Sequence, residues 1–230
     1  MSQELTFRLA QTSDFDEVLK LSEGIYGGHD YLPLRFHTWM NMENLDVMLA
    51  FSGEKLVSLV ACRIVDDGKT YVIRAARTLR EFRGRGIYKQ LLQAMENFVR
   101  TKYPSVVRRR FVKEEKATLS FKELWTPETL VCFVEKATIQ SHQFSSTVDS
   151  VEIQSCTMDY LSSVIFSSPL AKKLFPDDII LVDYIPIKPV RSNIDHLIQE
   201  YGNVYVAVEK STDDSSPRSI SFGLLSPRVK

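Results

Sequence analysis

The chain has 230 residues, a hydrophobic share of 44% and 29 basic against 29 acidic side chains. This length accommodates one large domain or two small ones, and the balanced charge gives no general attraction to nucleic acid or membranes. Cys62, Cys132 and Cys156 are widely spaced, which argues against a disulfide framework and favours a reducing compartment. No segment resembles a signal peptide or a membrane span, so we expect a cytoplasmic protein.

The first 65 residues predict a strand, two helices and a hairpin. Residues 5–10 alternate like an edge strand, and Thr12-Ser13-Asp14 offers an N-cap to a helix that reaches Ile25. Residues 24–33 contain Gly and Pro that break this helix, and a second helix is predicted over residues 34–42. Two strands then form a hairpin, over residues 46–51 and 55–65.

A strand, a loop of arginine and glycine, and a long helix come next. The strand is predicted over residues 71–79 and the helix over residues 87–100, where apolar residues recur at helical spacing. Between them lies Arg83-Gly84-Arg85-Gly86, where backbone N–H groups meet the positive end of the helix dipole. The spacing fits neither a Walker A loop nor the three-glycine dinucleotide pattern. We therefore predict a different kind of phosphate site.

The remaining sequence predicts more α/β structure in two parts. A strand over residues 105–112, a helix over 118–125 and a strand over 129–138 complete a first domain, residues 1–138. Residues 139–152 are rich in Ser, Thr and Gln and predict a linker. Residues 153–210 predict a partial C-terminal α/β region and residues 211–230 a flexible tail. The elements predicted there are helices over 158–166 and 194–201 and strands over 179–187 and 204–209.

The arginine and glycine loop resembles the phosphate loop of the GCN5-related N-acetyltransferases, which reads Gln/Arg-x-x-Gly-x-Gly/Ala. Arg83, Gly86 and Tyr88 occupy its three defined positions, and Tyr88 replaces a small residue. The resemblance implies an α/β (α+β) fold with the mixed sheet of acetyl-CoA N-acyltransferases, followed by an incomplete α/β region. It also implies acetyl-CoA as co-substrate. The implied coenzyme contacts are Thr78, Leu79, Arg83, Gly84, Arg85, Gly86, Ile87 and Tyr88.

A closer resemblance lies between the first two predicted helices. Residues 25–33 read Ile-Tyr-Gly-Gly-His-Asp-Tyr-Leu-Pro, and with Arg35 and Trp39 they resemble the histidine N-acetyltransferase group of this superfamily. The likeness includes Val65-Asp66-Asp67-Gly68 and weakens after residue 104. It implies transfer of an acetyl group from acetyl-CoA to the amine of a small amino acid, with L-histidine as the first expectation.

Proton transfer has several candidate residues in the predicted chemistry. Acetyl transfer needs a base for the amine and an acid for the leaving thiolate. The candidates for the base are His29 and Asp30, and an unperturbed histidine titrates near pKa 6.5, which suits base catalysis. The candidates for the acid are Tyr26 and Tyr88, although Tyr88 fits better as a ring that packs on the sheet at the helix start. The resemblance places an acidic residue at position 74 in close relatives, whereas this chain has Arg74, which cannot accept a proton.

An amino-acid acceptor also needs a counter-charge for its carboxylate. Tyr31, Arg35 and Arg74 are the predicted substrate-binding residues, and Arg77 is a further candidate for a bidentate contact. Each arginine has an alternative role as an ordinary charge of a strand or helix.

Several alternatives stay open at this level. Arg108-Arg109-Arg110 alternates across a strand, so we predict a solvated face and no nucleic-acid partner. The histidines lack ligand spacing, so we predict no metal. The rival functions are acetylation of protein N-termini or lysines, coenzyme binding without catalysis, and a structural module in which the loop is an ordinary turn. We expect a monomer or a homodimer.

Overall fold

The computed structural model describes residues 4–112, 153–209 and 219–224. The elements of the first stretch are β1 (Leu5–Leu9), α1 (Phe15–Ser22), α2 (Leu32–Met40), β2 (Leu45–Ser52), β3 (Lys55–Val65), β4 (Thr70–Thr78), α3 (Ile87–Lys102) and β5 (Arg108–Arg110). The later elements are β6 (Ile153–Ser155), α4 (Met158–Tyr160), α5 (Leu170–Leu174), β7 (Ile180–Val182), β8 (Ile185–Ile187), α6 (Arg191–Tyr201), β9 (Val204–Glu209) and β10 (Ser219–Leu224). Over these residues, no helix has the length and apolar character that a membrane span requires.

The main sheet has five strands in the order β1-β2-β3-β4-β5. The first four strands pair antiparallel, and β5 pairs parallel with β4, so the sheet is mixed as predicted. The parallel pairing joins only Thr70–Val72 to Arg108–Arg110. Among the described residues, the outer edge of β4 therefore has no strand partner from residue 73 to residue 78.

Helices cover both faces of this sheet. Side chains alternate along a strand, so β2 and β3 supply one apolar face to α1 and α2 and the other to α3. Helix α3 buries Ile87, Leu91, Met95 and Val99 at helical spacing, which confirms the predicted stripe. Anchoring α3 in this way fixes its N-terminus, and the loop before it, near the end of β4.

A bulge interrupts β4 at Ala75. The pairing of β3 with β4 shifts register between Leu59 and Ala61, and Ala75 has a φ of +49°, which is uncommon for a residue other than glycine. In a regular strand, residues three apart point to opposite faces. After the bulge, Arg74 and Arg77 both contact the ring of Tyr31, at 6.0 and 5.4 Å from its centroid. The bulge therefore directs two arginines to the same side of the sheet.

The described chain divides into two compact units. Of the described residues, the first contains 4–112, 179–204 and 223–224, and the second contains 153–178, 205–209 and 219–222. Residues 179–204 thus belong to the same unit as the main sheet, although the sequence predicts them in a separate C-terminal region. The predicted boundary at residue 138 and the linker 139–152 lie outside the described residues.

Within the first unit, residues 179–204 form a hairpin and a helix. The hairpin joins β7 to β8 through Asp183 and Tyr184, whose φ values are +45° and +60°, as a two-residue turn requires. The prediction of one continuous strand over residues 179–187 is therefore wrong. Helix α6 follows, and its buried face includes Ile194, Leu197 and Glu200.

The second unit contains a small sheet in the order β10-β9-β6. Aromatic contacts accompany it, with the Phe175 ring 5.8 Å from that of Phe166 and 6.4 Å from that of Phe222. The π-helical turn Leu161–Ile165 continues α4, so the predicted helix over residues 158–166 is present with altered geometry. Strand β10 lies within the segment that the sequence predicts as a flexible tail.

Other element boundaries also differ from the predictions. Helix α2 begins at Leu32, two residues early, because Pro33 is tolerated in the first turn of a helix. The first helix ends at Ser22, and residues 25–28 form a separate 3₁₀ turn. Strand β5 covers only three of the eight predicted residues. The predicted elements over residues 118–125 and 129–138, with Cys132 and His142, lie outside the described residues.

Candidate active site

The predicted phosphate loop lies exposed between a 3₁₀ turn (Arg80–Phe82) and α3. Gly84 and Gly86 have φ values of +75° and +73°, in the left-handed region that favours glycine. A Cβ at either glycine would meet nothing within 4 Å, so backbone conformation and not crowding explains both glycines. Arg83 Nε donates to the Thr78 carbonyl at 3.0 Å, which ties the loop to the end of β4.

The loop and the first turn of α3 present backbone donors. The 16-residue helix begins at Ile87, and the first N–H groups of a helix have no intrahelical acceptor. Within the described part of the chain, none of the N–H groups of residues 84–88 has an acceptor. Arg85 adds a guanidinium, 5.1 Å from the Phe82 ring. These groups fit an anionic phosphate.

Tyr88 lies at the start of α3 and is 38% exposed. Partial burial raises the pKa of its phenol, so the hydroxyl stays protonated at neutral pH. The side chain follows the loop directly, where the family pattern has a small residue. Its backbone N–H remains one of the unpaired donors of the helix start.

The backbone N–H groups of Thr78 and Leu79, at the end of β4, point in different directions. Leu79 N–H donates to the Val57 carbonyl at 3.0 Å, so it is used by the sheet. Ser58 Oγ donates to the Arg77 carbonyl at 2.7 Å. Successive N–H groups of a strand point in opposite directions, so Thr78 N–H points to the outer edge of β4, which has no strand partner here among the residues that the structure describes. Of the two predicted backbone contacts, only the Thr78 N–H is directed toward this edge.

The three residues predicted to transfer protons lie in one segment before α2. Tyr26 is 59% exposed and has a φ of +50°, while His29 is partly exposed and its N–H donates to the Tyr26 carbonyl at 3.3 Å. Asp30 is buried, and its carboxylate accepts hydrogen bonds from Arg77 at 2.9 and 3.2 Å and from Leu32 N–H at 3.2 Å. Asp30 is therefore an ion-pair partner of Arg77 that also accepts a hydrogen bond from the first residue of helix α2.

Aromatic rings and arginines line the same region. The Tyr31 ring lies 6.4 Å from the Tyr26 ring and 6.0 Å from the Trp39 ring. Arg77 lies 5.3 Å from the Tyr26 centroid, and Arg74 lies 5.0 Å from the Trp39 centroid, both within cation–π range. Burial raises the pKa of Tyr31. The structure thus brings Tyr26, Tyr31 and Arg74 together through contacts with the Tyr31 ring, and their role in binding an acceptor stays a prediction.

Glu200 of α6 lies at the centre of a buried charge cluster that the sequence did not predict. Its fully buried carboxylate accepts hydrogen bonds from Trp39 Nε1 at 2.8 Å, from Arg74 Nη1 at 3.0 Å to both oxygens, and from Arg63. Burial alone would raise the pKa of this carboxyl, but Arg74 and Arg63 hold it below its usual range. No local sequence pattern predicts this pairing, because Glu200 is more than 100 positions away from Arg63 and Arg74 in the sequence.

Two predicted substrate-binding arginines belong to this cluster. The Arg74 side chain is 5% exposed and also donates to the Tyr201 hydroxyl at 3.3 Å. Arg35 donates to the Glu200 carbonyl at 2.6 Å, and its guanidinium lies 4.1 Å from the Tyr201 ring. Neither guanidinium is presented to solvent. Their contact with a substrate carboxylate stays a prediction.

The described residues contain neither a cluster of side chains that could bind a metal nor a cysteine suited to carry the acyl group. Over residues 4–112, 153–209 and 219–224, no three His, Cys, Asp or Glu side chains are grouped to hold a metal ion. Cys62 and Cys156 are free and buried, and burial raises the pKa of both thiols. Such thiols are poor nucleophiles, because the thiolate is the reactive form.

The sequence itself places the main sheet in a known class. Residues 14–115 match the sequence model of the acetyltransferase (GNAT) family, so this part of the chain is a GNAT-family acetyltransferase domain. Residues 150–230 match the model described as histidine N-acetyltransferase, C-terminal. The chain therefore combines a GNAT domain with the C-terminal domain of histidine N-acetyltransferases, which confirms the family resemblance.

Individual relatives agree with both matches. The chain is 38% identical over 121 residues to a histidine N-acetyltransferase of Xenopus tropicalis, covering 53% of this chain and 37% of the relative. It is 27% identical over 212 residues to that of Scomber australasicus, covering 85% and 63%. It is 32% identical over 114 residues to a probable N-acetyltransferase 16 of Homo sapiens, covering 50% and 31%. The chain thus spans less than two thirds of each relative.

Solved structures of acetyltransferases also resemble the chain. A GNAT family acetyltransferase of Staphylococcus aureus is 21% identical and covers 56% of this chain and all of its own, with a TM-score of 0.44. An acetyltransferase of Trypanosoma brucei is 16% identical and covers 56% and 100%, with a TM-score of 0.46. The family assignment rests on the sequence match and not on these scores.

Proposed function

We propose that this protein is an acetyl-CoA-dependent N-acetyltransferase whose acceptor is the amine of a small amino acid, with L-histidine as the first candidate. The observation that carries the proposal is the donor-lined loop of residues 83–88, beside the open edge of β4, in a GNAT-family domain. The names of the relatives and of the C-terminal match support histidine. We place the protein in the cytoplasm, with a small-molecule acceptor and no nucleic-acid partner.

The described groups divide the work of coenzyme binding. The N–H groups of residues 84–88, with Arg83 and Arg85, would hold the pyrophosphate. Thr78 N–H, on the outer edge of β4, would donate to the acetyl-bearing arm. Acetyl-CoA itself supplies an activated thioester. Each protein group here is a fixed dipole or charge, so it needs little rearrangement when charge develops.

Direct transfer is the proposed reaction. The neutral amine nitrogen attacks the thioester carbonyl carbon, the carbon–sulfur bond breaks, and coenzyme A leaves as a thiolate that takes up a proton. Asp30 is occupied by Arg77, so we assign the amine proton to His29, which is partly exposed. Tyr26 is 59% exposed and is the proposed proton donor to the thiolate.

Two measurements on one sample test this function. Acetyl-CoA should raise the melting temperature, because a ligand that binds only the folded state stabilises it. Thiol release should then depend on histidine and be weaker with histamine, which lacks the carboxylate, and with lysine peptides. Release that depends on peptides and is unaffected by free histidine would instead favour a protein acetyltransferase.

Coenzyme binding without catalysis is the second candidate. Its specific support is that the three carboxylates beside the β4 arginines, Asp30, Asp183 and Glu200, are all ion-paired, and none is placed as a base. This function predicts stabilisation by acetyl-CoA with no thiol release for any amine. Stabilisation together with histidine-dependent release excludes it.

A further inference from the structure

Glu200 is an unusual residue to bury. Its side chain has no exposed surface, and two arginines of the main sheet, Arg63 and Arg74, direct their guanidiniums at it. Arg63 also donates to the His196 carbonyl at 2.7 Å, so α6 meets this arginine through both backbone and side chain. A buried charge needs such partners, because removing either side of the pair leaves the other unpaired. The Glu200 carboxylate is thus needed to balance the two buried guanidiniums.

Two chains of contact lead from Glu200 to the acceptor region. Along the first, Glu200 fixes Arg74, whose guanidinium lies over the Tyr31 ring. Along the second, Glu200 accepts from Trp39 Nε1, and the Trp39 ring contacts the same Tyr31 ring. Tyr31 in turn stacks near Tyr26. Both routes end at the segment that holds every predicted proton-transfer residue.

We propose that Glu200 is a positioning residue of the acceptor site, which sets the segment of residues 26–31 through Arg74 and Trp39. The inference rests on the proposed function, because it assumes that this segment binds the amine. It also means that a residue of the segment matched as histidine N-acetyltransferase, C-terminal, shapes the acceptor side of the GNAT domain. Glu200 does not touch the reacting atoms.

The loop that binds the coenzyme provides an internal reference. Residues 83–88 are held by Thr78 and by the apolar stripe of α3, none of which contacts Glu200 in the structure. Glu200→Gln keeps the shape and removes the charge. We therefore expect acetyl-CoA affinity to stay unchanged, while KM for histidine rises about tenfold or more, since small misplacements of a substrate are costly.

Asp195→Asn is the matched control on the same helix. Asp195 is an exposed carboxylate that pairs only with Arg191, four residues earlier, at 2.8 Å in the described structure. Its loss should leave both affinities and the segment of residues 26–31 unchanged. Trp39→Phe is a milder second variant, because it keeps a ring and removes only the Nε1 donor. It should raise KM for histidine less than Glu200→Gln does.

Hydrogen–deuterium exchange supplies a readout that does not depend on activity. In the full chain loaded with coenzyme A, Glu200→Gln should speed exchange at residues 26–31, and Asp195→Asn should not. If Glu200→Gln fails to fold, the same comparison is made with Trp39→Phe. A variant that only melts earlier, with unchanged exchange there and unchanged KM for histidine, would overturn the positioning role. If the unaltered protein releases no thiol in response to histidine, the proposed function is wrong. The exchange data would still decide the role of Glu200.

Discussion

Gly86→Glu tests the phosphate loop most directly. Gly86 has a φ of +73°, and a Cβ there would meet nothing within 4 Å, so the substitution acts through backbone strain and charge. The left-handed conformation itself costs about 1–2 kcal/mol for a residue with a Cβ. A carboxylate about 4 Å from one phosphate charge adds about 4 kcal/mol of repulsion at an effective dielectric constant near 20. That repulsion corresponds to a roughly thousandfold weaker Kd for acetyl-CoA.

The assay is thermal unfolding with and without acetyl-CoA. At about 100 times Kd, the coenzyme should stabilise the unaltered protein by about 2.7 kcal/mol, whereas a thousandfold weaker site gains only about 0.1 kcal/mol or less. Gly86→Ala carries the backbone strain without the charge, so it should lower Tm by about 2–8 °C and keep most of the coenzyme effect.

Gly68→Glu is the positional control. Gly68 has a φ of +77° and open surroundings, but it precedes β4, at the opposite end of that strand from the loop. It should cost similar stability and leave the coenzyme effect intact. An unchanged acetyl-CoA shift in Gly86→Glu would refute the assignment of residues 83–88 to the pyrophosphate.

Three further substitutions address the core, the acceptor side and the response to pH. Leu91→Ala removes a fully buried side chain of α3 and should cost about 2–5 kcal/mol in the free energy of unfolding measured with denaturant, whereas the exposed Leu9→Ala should cost far less. Asp30→Asn leaves Arg77 buried without its charge partner and should cost about 3 kcal/mol, with tenfold or greater loss of histidine turnover and unchanged acetyl-CoA affinity; full turnover would contradict the acceptor assignment. Burial, aided by Arg63, lowers the pKa of His196, so the unfolded chain binds this proton more readily and stability should fall as pH drops below about 6.5. His196→Gln should flatten that dependence, and an unchanged pH profile of Tm would contradict it.

Much of the fold follows from local pattern. The apolar period of α3 reflects one buried face, and the nearly continuous apolar run of β3 reflects a strand that is buried on both faces, so each pattern identifies its element. Predicted element boundaries are wrong where a single residue is compatible with more than one backbone conformation. Pro33 suggests a helix break, yet it fits the first turn of α2. Asp183 and Tyr184 look like part of a strand, because nothing local shows that both will adopt positive φ.

The candidate site likewise has one part that local sequence predicts and one part that it does not. The phosphate loop is local, since adjacent glycines, arginines and a helix start create it together, and the sequence alone predicts it. The acceptor side depends on contacts between distant segments. Arg77 reaches Asp30 across 47 positions, and Arg74 reaches Glu200 across 126. The sequence predicts Arg74 and Arg77 as contacts for a substrate carboxylate and Asp30 as a proton-transfer residue, because local pattern has no means to identify an ion-pair partner so far away.

The buried arginines also explain why residues 179–204 belong with the main sheet. Arg63 on β3 and Arg74 on β4 point to the face that α2 and α6 cover, and burying either one unpaired would cost several kcal/mol. No carboxylate of the first 112 residues meets this requirement among their described contacts. Glu200 meets it for both arginines at once. The sheet and α6 therefore depend on each other electrostatically, and Arg63 of β3 and Arg74 of β4 are paired with Glu200 only when α6 is in place.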